Sequence, residues 1–255
     1  MIYSTFCITG ASSGFGAAIA RALSAPGRTL ILVARRMERL TDVAAVCQSR
    51  GATVHCLCHD VRDEHFITQL QATLVAHALT VDVLINNAGL ALGLEPAQRA
   101  DCDDWDTMIS TNITAVCHLT RAILPSMVEQ NRGHVVFISS VAGSWPYAGG
   151  NVYGATKAFI DQFGRNLRSD LLGTAVRVTV IAPGMAETEF STVRFKGDKG
   201  KADAVYAGVS PLDGDAIASA VCYALDAPAA VNVNHIELMP VQQAWGGLSV
   251  SRRQS

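Results

Sequence analysis

Short apolar runs alternate with stretches of helical period along most of the chain. Runs at Ile2–Thr9, Thr29–Ala34, Thr53–Cys58, Val81–Asn86, His134–Ser139, Val176–Ile181 and Ile236–Met239 predict strands. Helical spacing of apolar residues covers Gly16–Ser24, Met37–Ser49, Asp63–Ala78, a long segment Asp104–Gln130, Gly150–Leu172 and Gly214–Ala224. Strands separated by helices imply βαβ units, hence an α/β fold with a doubly wound parallel sheet of about seven strands and helices on both faces. Strands such as Val135-Val136-Phe137-Ile138 carry no polar alternation, as expected where both sheet faces are covered. No repeat or low-complexity linker interrupts the rhythm, so the expectation is a single domain over residues 1–255. One stretch departs from it: residues 185–211 are polar and rich in Gly and Lys. In open α/β sheets ligands sit beyond the carboxyl ends of the strands, which makes this segment a candidate lid.

Composition narrows the field. Of 255 residues, 49% are hydrophobic and 16% charged, which suits a large buried core, and the net charge of −2 gives no support for binding nucleic acid or an anionic membrane. No apolar run approaches the ~18 residues of a membrane span. The N-terminus runs straight into a strand and a glycine loop, so a soluble, cytoplasmic protein is expected. The seven cysteines are scattered; His55-Cys56-Leu57-Cys58-His59 lacks the paired Cys-x2-Cys spacing of structural zinc sites, and no metal is expected.

The chemistry is carried by two ends of the chain's pattern. The first strand leads into Gly10-Ala11-Ser12-Ser13-Gly14-Phe15-Gly16 and at once into a helix. Glycines let a backbone turn sharply and approach a pyrophosphate, which the helix N-terminus favours. At the end of the second strand, where an NAD site carries an acid for the ribose 2′-hydroxyl, the chain reads Val33-Ala34-Arg35-Arg36. Two guanidinium groups suit a 2′-phosphate, so NADP is the expected cofactor. Further on, Tyr153 and Lys157 lie at i and i+4 and share one helix face. A phenol titrates near 10, and a neighbouring ammonium is expected to lower it toward neutrality, so that Tyr153 can exchange a proton with a substrate hydroxyl. Ser139 and Ser140 close the fifth strand, and either hydroxyl could steady charge on the substrate oxygen.

The Gly-x3-Gly-x-Gly spacing, Asp60-Val61, Asn86-Asn87-Ala88-Gly89 and Tyr153-Gly154-Ala155-Thr156-Lys157 resemble the short-chain dehydrogenase/reductase family over almost the whole chain. That resemblance implies a Rossmann fold and a set of roles. Asn112, Ser140, Tyr153 and Lys157 would be catalytic, with Ser140 favoured by its thirteen-residue distance from Tyr153. Asn112 would hold a water in a proton relay behind Lys157, and Lys157 would also hold the nicotinamide ribose. The cofactor would lie along Gly10, Ser12, Ser13, Gly14, Phe15, Gly16, Arg35, Arg36, Asp60, Val61, Asn87, Ala88 and Gly89. Pro183, Gly184, Met185 and Thr188 would face its carboxamide. Further stretches, among them Gly143–Tyr153 and Val193–Gly197, resemble the bacterial NADP-dependent 3-hydroxy acid dehydrogenases, a tetrameric group acting on L-serine, L-allo-threonine and related acids. The C-terminal tail, residues 240–255, would contribute to subunit contacts.

An acidic substrate needs a cation once it is desolvated. The lid offers Arg194, Lys196, Lys199 and Lys201, of which Arg194 alone can bind a carboxylate bidentately and is the expected partner. Against it stands Glu187, in Ala186-Glu187, where the resembling group is glycine-rich; an inward carboxylate would repel an acid. Two other readings remain at this point: a reductase of another small carbonyl such as a sulfonated aldehyde, and a non-catalytic NADP-binding sensor, which would be expected to lose Tyr153 or Lys157.

Overall fold

A computed structural model describes residues 2–246. Seven strands among the described residues form one parallel sheet: β1 (Thr5–Thr9), β2 (Thr29–Ala34), β3 (Thr53–Cys58), β4 (Val83–Asn86), β5 (Gly133–Ile138), β6 (Val176–Pro183) and β7 (His235–Leu238), in the spatial order β3-β2-β1-β4-β5-β6-β7. The helices are α1 (Gly14–Leu23), α2 (Met37–Ser49), α3 (Phe66–Ala76), α4 (Cys102–Ile109), α5 (Ala115–Glu129), α6 (Asn151–Asp170), α7 (Glu189–Arg194), α8 (Lys199–Ala204) and α9 (Gly214–Asp226). The sheet reverses its direction of growth between β1 and β4, which pair through Phe6–Val83, Cys7–Leu84 and Ile8–Ile85. At that point consecutive connections leave for opposite faces and open a crevice at the carboxyl ends.

Successive strand residues feed two cores. Phe6, Ile8, Leu30, Leu32 and Val136 pack with α1, α2 and α9 through Ile19, Leu23, Leu40, Ile217 and Val221. Cys7, Ile31, Val33, Val135 and Phe137 pack on the other face with α3, α5 and α6 through Phe66, Leu70, Leu119, Ile123, Ile160 and Leu167. Both faces are therefore apolar, which is why the strands lack alternation.

The expected elements are present, several with ends shifted by one to three residues, as in α3, which runs Phe66–Ala76 rather than Asp63–Ala78, and three differences stand out. β1 starts at Thr5 rather than Ile2. The long segment expected as one helix divides into α4 and α5 around a π-helical turn, Ser110–Thr114, that carries Asn112. Single wide turns of this kind bring side chains off the regular helix face. The candidate lid is not a bare loop: α7 and α8 lie within it, N-capped by Thr188, whose Oγ1 accepts from Phe190 N, and by Asp198, whose carboxylate accepts from Lys201 N. Each is too short to show a periodic pattern.

His134 on β5 is fully buried, its Nε2 hydrogen-bonded to Thr179 Oγ1 at 2.8 Å beside Tyr3 and Arg177. Burial, reinforced by Arg177, pushes its pKa down to about 3. The unfolded chain binds this proton below about 6.5 and the folded chain does not, so acidification costs stability between pH 6.5 and about 3, at about 1.4 kcal/mol per pH unit. Thermal melts of the wild type and His134→Gln across that range should show the slope flattened in the variant. An unchanged slope would assign the acid sensitivity elsewhere.

Candidate active site

The crevice at the switch point is a cavity of about 690 Å³. Its floor is built by the glycine loop. Gly10 adopts φ 67° and Gly14 φ 51°, and a Cβ on Gly16 would stand 2.3 Å from Gly10 O and 2.6 Å from Asn87 Nδ2, so the first turn of α1 can press against the end of β4 only with glycine there. Asn87 Nδ2 donates to Thr9 O at 2.8 Å, and the N–H groups of Asn87 and Ala88 donate to Thr9 Oγ1 at 3.1 and 2.9 Å. Ser12, Ser13, Phe15, Asp60, Val61, Ala88 and Gly89 line the same cavity with Arg35 and Arg36. Arg35 and Arg36 are exposed at its far end; Arg36 Nη2 donates to Ser13 Oγ at 2.9 Å, and Arg35 lies 3.9 Å from Asp60. Asp60 is itself gripped by Arg62 at 2.7 and 3.1 Å, and that grip holds its carboxyl below the usual range.

Tyr153, Lys157 and Ser140 face the cavity from the side of β5 and α6. Tyr153 is 8% exposed and Lys157 6%, with Lys157 Nζ 5.8 Å from the centre of the Tyr153 ring and donating to Ile138 O at 2.9 Å. Ser140 Oγ accepts from Ala142 N at 3.2 Å, where it starts a short 3₁₀ turn. Ser139, the other candidate, is turned inward onto Lys157 O at 3.2 Å. Asn112 is 2% exposed; its Nδ2 donates to Leu90 O at 2.8 Å and Thr156 Oγ1 at 3.0 Å, and its Oδ1 accepts from Leu90 N at 2.9 Å. Both amide hydrogens are thereby committed to protein, and Asn112 fastens the Asn87–Leu90 turn to α6.

The electrostatics differ from expectation. Burial pushes the Tyr153 phenol up to about 12, while the Ser140 hydroxyl and the Arg194 guanidinium pull it down. Lys157, also desolvated, is lowered to about 8, with Asp161 opposing. Burial dominates, and the downward shift expected from Lys157 does not appear: its ammonium bonds to a backbone carbonyl and lies under the ring rather than at the hydroxyl. The phenol is consequently held in its protonated form at neutral pH.

Pro183, Gly184, Met185 and Thr188 form the opposite wall. Met185 N donates to Gln243 Oε1 at 2.7 Å, so the described part of the C-terminal tail supports this wall; residues 247–255 lie outside the described residues. Glu187 is exposed and lines an adjoining depression with Asp213 and Asp215, which shares Ser12, Ser13, Gly14 and Thr188 with the cavity; Glu187 itself does not line the cavity. Of the four lid cations only Arg194 lines the cavity. Lys196 pairs with Asp104 at 2.9 Å and Lys201 with Asp198 at 3.4 Å, while Lys199 is exposed. Arg194 is held among three rings, 5.2 Å from Tyr153, 5.5 Å from Phe190 and 5.6 Å from Tyr147, and it donates to Tyr147 Oη. Its Nε is buried without a partner. Sequence reasoning did not single out Tyr147, Phe190 and Gln243 as site residues: Tyr147 lines the cavity from the connection between β5 and α6, Phe190 comes from the lid and Gln243 from the tail, and none carries a spacing signal.

The model of short chain dehydrogenases matches residues 4–199. The chain belongs to this family. Over 246 residues it is 53% identical to the NADP-dependent 3-hydroxy acid dehydrogenase of Salmonella typhi, covering 96% of this chain and 98% of that one. It is 49% identical to sulfoacetaldehyde reductase 2 of Chromohalobacter salexigens, again over 246 residues, 96% of this chain and 97% of that one. Among solved structures it is similar to the closed form of serine dehydrogenase complexed with NADP+, with a TM-score of 0.92, 49% identity, and 98% of this chain and 100% of that one covered.

Truncating Asn112 to Ala removes three hydrogen bonds and strands Leu90 N and O in the interior. A loss of about 3 kcal/mol, seen as a fall in Tm of roughly 5–10 °C, is expected by calorimetry. A smaller fall than about 2 °C would mean that water replaces the amide without cost.

Proposed function

We propose that this chain transfers a hydride between NADP(H) and a small 3-hydroxy acid of the serine, allo-threonine or 3-hydroxypropionate type, or the matching semialdehyde. The observation that carries the substrate class is Arg194: a half-buried guanidinium in the cavity, 5.2 Å from the Tyr153 ring, with a buried Nε that has no partner. A buried, unsatisfied donor beside the proton-transfer group calls for an anionic acceptor. The glycine-lined floor, which a single Cβ on Gly16 would block, together with Arg35 and Arg36 at the end of β2, fits a dinucleotide carrying a 2′-phosphate. The cofactor supplies the hydride acceptor or donor.

In this reading Arg194 takes the substrate carboxylate through paired N–H groups, fixing the hydroxyl-bearing carbon against Tyr153 and Ser140. Ser140 donates to the substrate oxygen. In reduction the Tyr153 hydroxyl gives its proton to the forming alkoxide; in oxidation it must first be a phenolate. Lys157, at a pKa of about 8, offers a positive charge beneath the ring that stabilises the phenolate while it lasts. We expect the enzyme to act as a cytoplasmic homotetramer, the exposed Val241 and Trp245 on the tail being apolar surface that such contacts would use.

Tyr153→Phe should lose activity by about a thousandfold with NADP binding retained, by spectrophotometry at 340 nm and calorimetric titration. Activity equal to wild type would remove the proton-transfer role. Arg194→Leu should lower kcat/KM for acidic substrates roughly 10–100-fold and leave simple alcohols little changed. A substrate panel including sulfoacetaldehyde decides between carboxylate and sulfonate, since the guanidinium suits either anion; failure of every acid beside turnover of neutral alcohols would end the 3-hydroxy acid reading. Because burial holds the phenol near 12, its ionised fraction grows about tenfold per pH unit below that value, so oxidation should accelerate from pH 7 to 9 while reduction, which uses the protonated phenol, does not. A flat oxidation profile would contradict this assignment.

A further inference from the structure

The cofactor's arginine corner already holds a carboxylate. Glu189, the first residue of α7, reaches across from the lid: its Oε2 accepts from Arg36 Nη2 at 2.7 Å, and its Oε1 accepts from Arg39 Nη1. Arg36 Nη2 simultaneously donates to Ser13 Oγ at 2.9 Å, so lid, glycine loop and the start of α2 meet on one guanidinium. Arg39 lies one helical turn beyond Arg36 and presents its charge to the same point. The partner residues are 40–49% exposed, so the clasp is open to solvent and to exchange. The two arginines hold the Glu189 carboxyl down at about 2, ionised at every working pH.

We propose that Glu189 is a cofactor-specificity residue: its carboxylate holds the guanidinium donors of Arg36 and Arg39 that a ribose 2′-phosphate takes, so NADP binds by exchanging a lid carboxylate for its phosphate, whereas NAD leaves the clasp intact. The exchange is chemically balanced, anion for anion on planar forks that match both. Its direction follows from charge: a phosphate monoester carries close to two negative charges and three acceptor oxygens, against one charge and two oxygens for Glu189. The clasp therefore weakens NADP relative to what the arginines alone would give, and it ties release of the first residue of α7 to the one group that distinguishes the two cofactors.

This inference rests on the reading of Arg35 and Arg36 as a 2′-phosphate site, and the test separates the two. NADP+ and NAD+ are titrated into the wild type and Glu189→Gln by isothermal calorimetry, without substrate. The variant keeps size and shape, and the residue is on the surface. NADP+ should bind Glu189→Gln roughly three- to tenfold more tightly than wild type, with NAD+ changed by less than about twofold. Unchanged or weaker NADP+ binding in the variant overturns the exchange, and so does an equal gain for NAD+, which would place the effect at the pyrophosphate. A wild type that does not prefer NADP+ to NAD+ would remove the cofactor reading and this inference together.

Discussion

The hydroxyl of Thr9 holds together the place where everything else is assembled. It closes β1, donates to Ile85 O at 3.3 Å, and accepts the N–H groups of Asn87 and Ala88 from the neighbouring strand's end. Two parallel strands whose chains then diverge would otherwise leave a ragged gap with unpaired backbone groups. Tied at Thr9 and braced by Asn87 against Gly10, the gap becomes a rigid floor, and the glycines of the loop are what allow the first turn of α1 to lie close enough to use it. From that floor the same register sets the height of β5 and β6, and so the height at which Ser140 and Pro183 emerge.

Much of this was legible in the residues because it is local. β2, β3 and α2 fall on their expected bounds, each being one uninterrupted pattern between turns. Tyr153 and Lys157 share a helix face by spacing alone, and the missing acid after β2 is a statement about four consecutive residues. What was not legible is tertiary. The wide turn at Asn112 arises within an otherwise helical pattern, and nothing in Ser110–Thr114 announces it. Glu189 meets Arg36 across 153 positions, and Arg194 meets Tyr147 across 47, distances over which no periodicity survives. The direction of the Tyr153 shift was misjudged for a related reason: spacing shows which charge is near, while burial, the larger effect here, is a property of the assembled fold.

The site then shows a balance of opposed effects. Two basic groups and one phenol share a cavity wall, and the protein withholds water from both Tyr153 and Lys157. Desolvation favours the neutral form of each, so the pair is set with the proton on the phenol and the amine near its own midpoint. Arg194 cannot follow, because a guanidinium does not deprotonate; its charge is instead spread over three aromatic faces. In the proposed reading the permanent charge serves for holding, and the groups that titrate serve for proton transfer.

Helix α7 is six residues long, with Glu189 at one end and Arg194 at the other. At 1.5 Å per residue the two backbones are about 8 Å apart, and a rod of that length has no joint within it. It spans from the cofactor's arginine corner to the aromatic cage over Tyr153, so it behaves as a lever: it cannot tilt at one mouth of the cavity without displacing the other. In the proposed reading, sensing of the nucleotide and grip on the acid are carried on this one short helix.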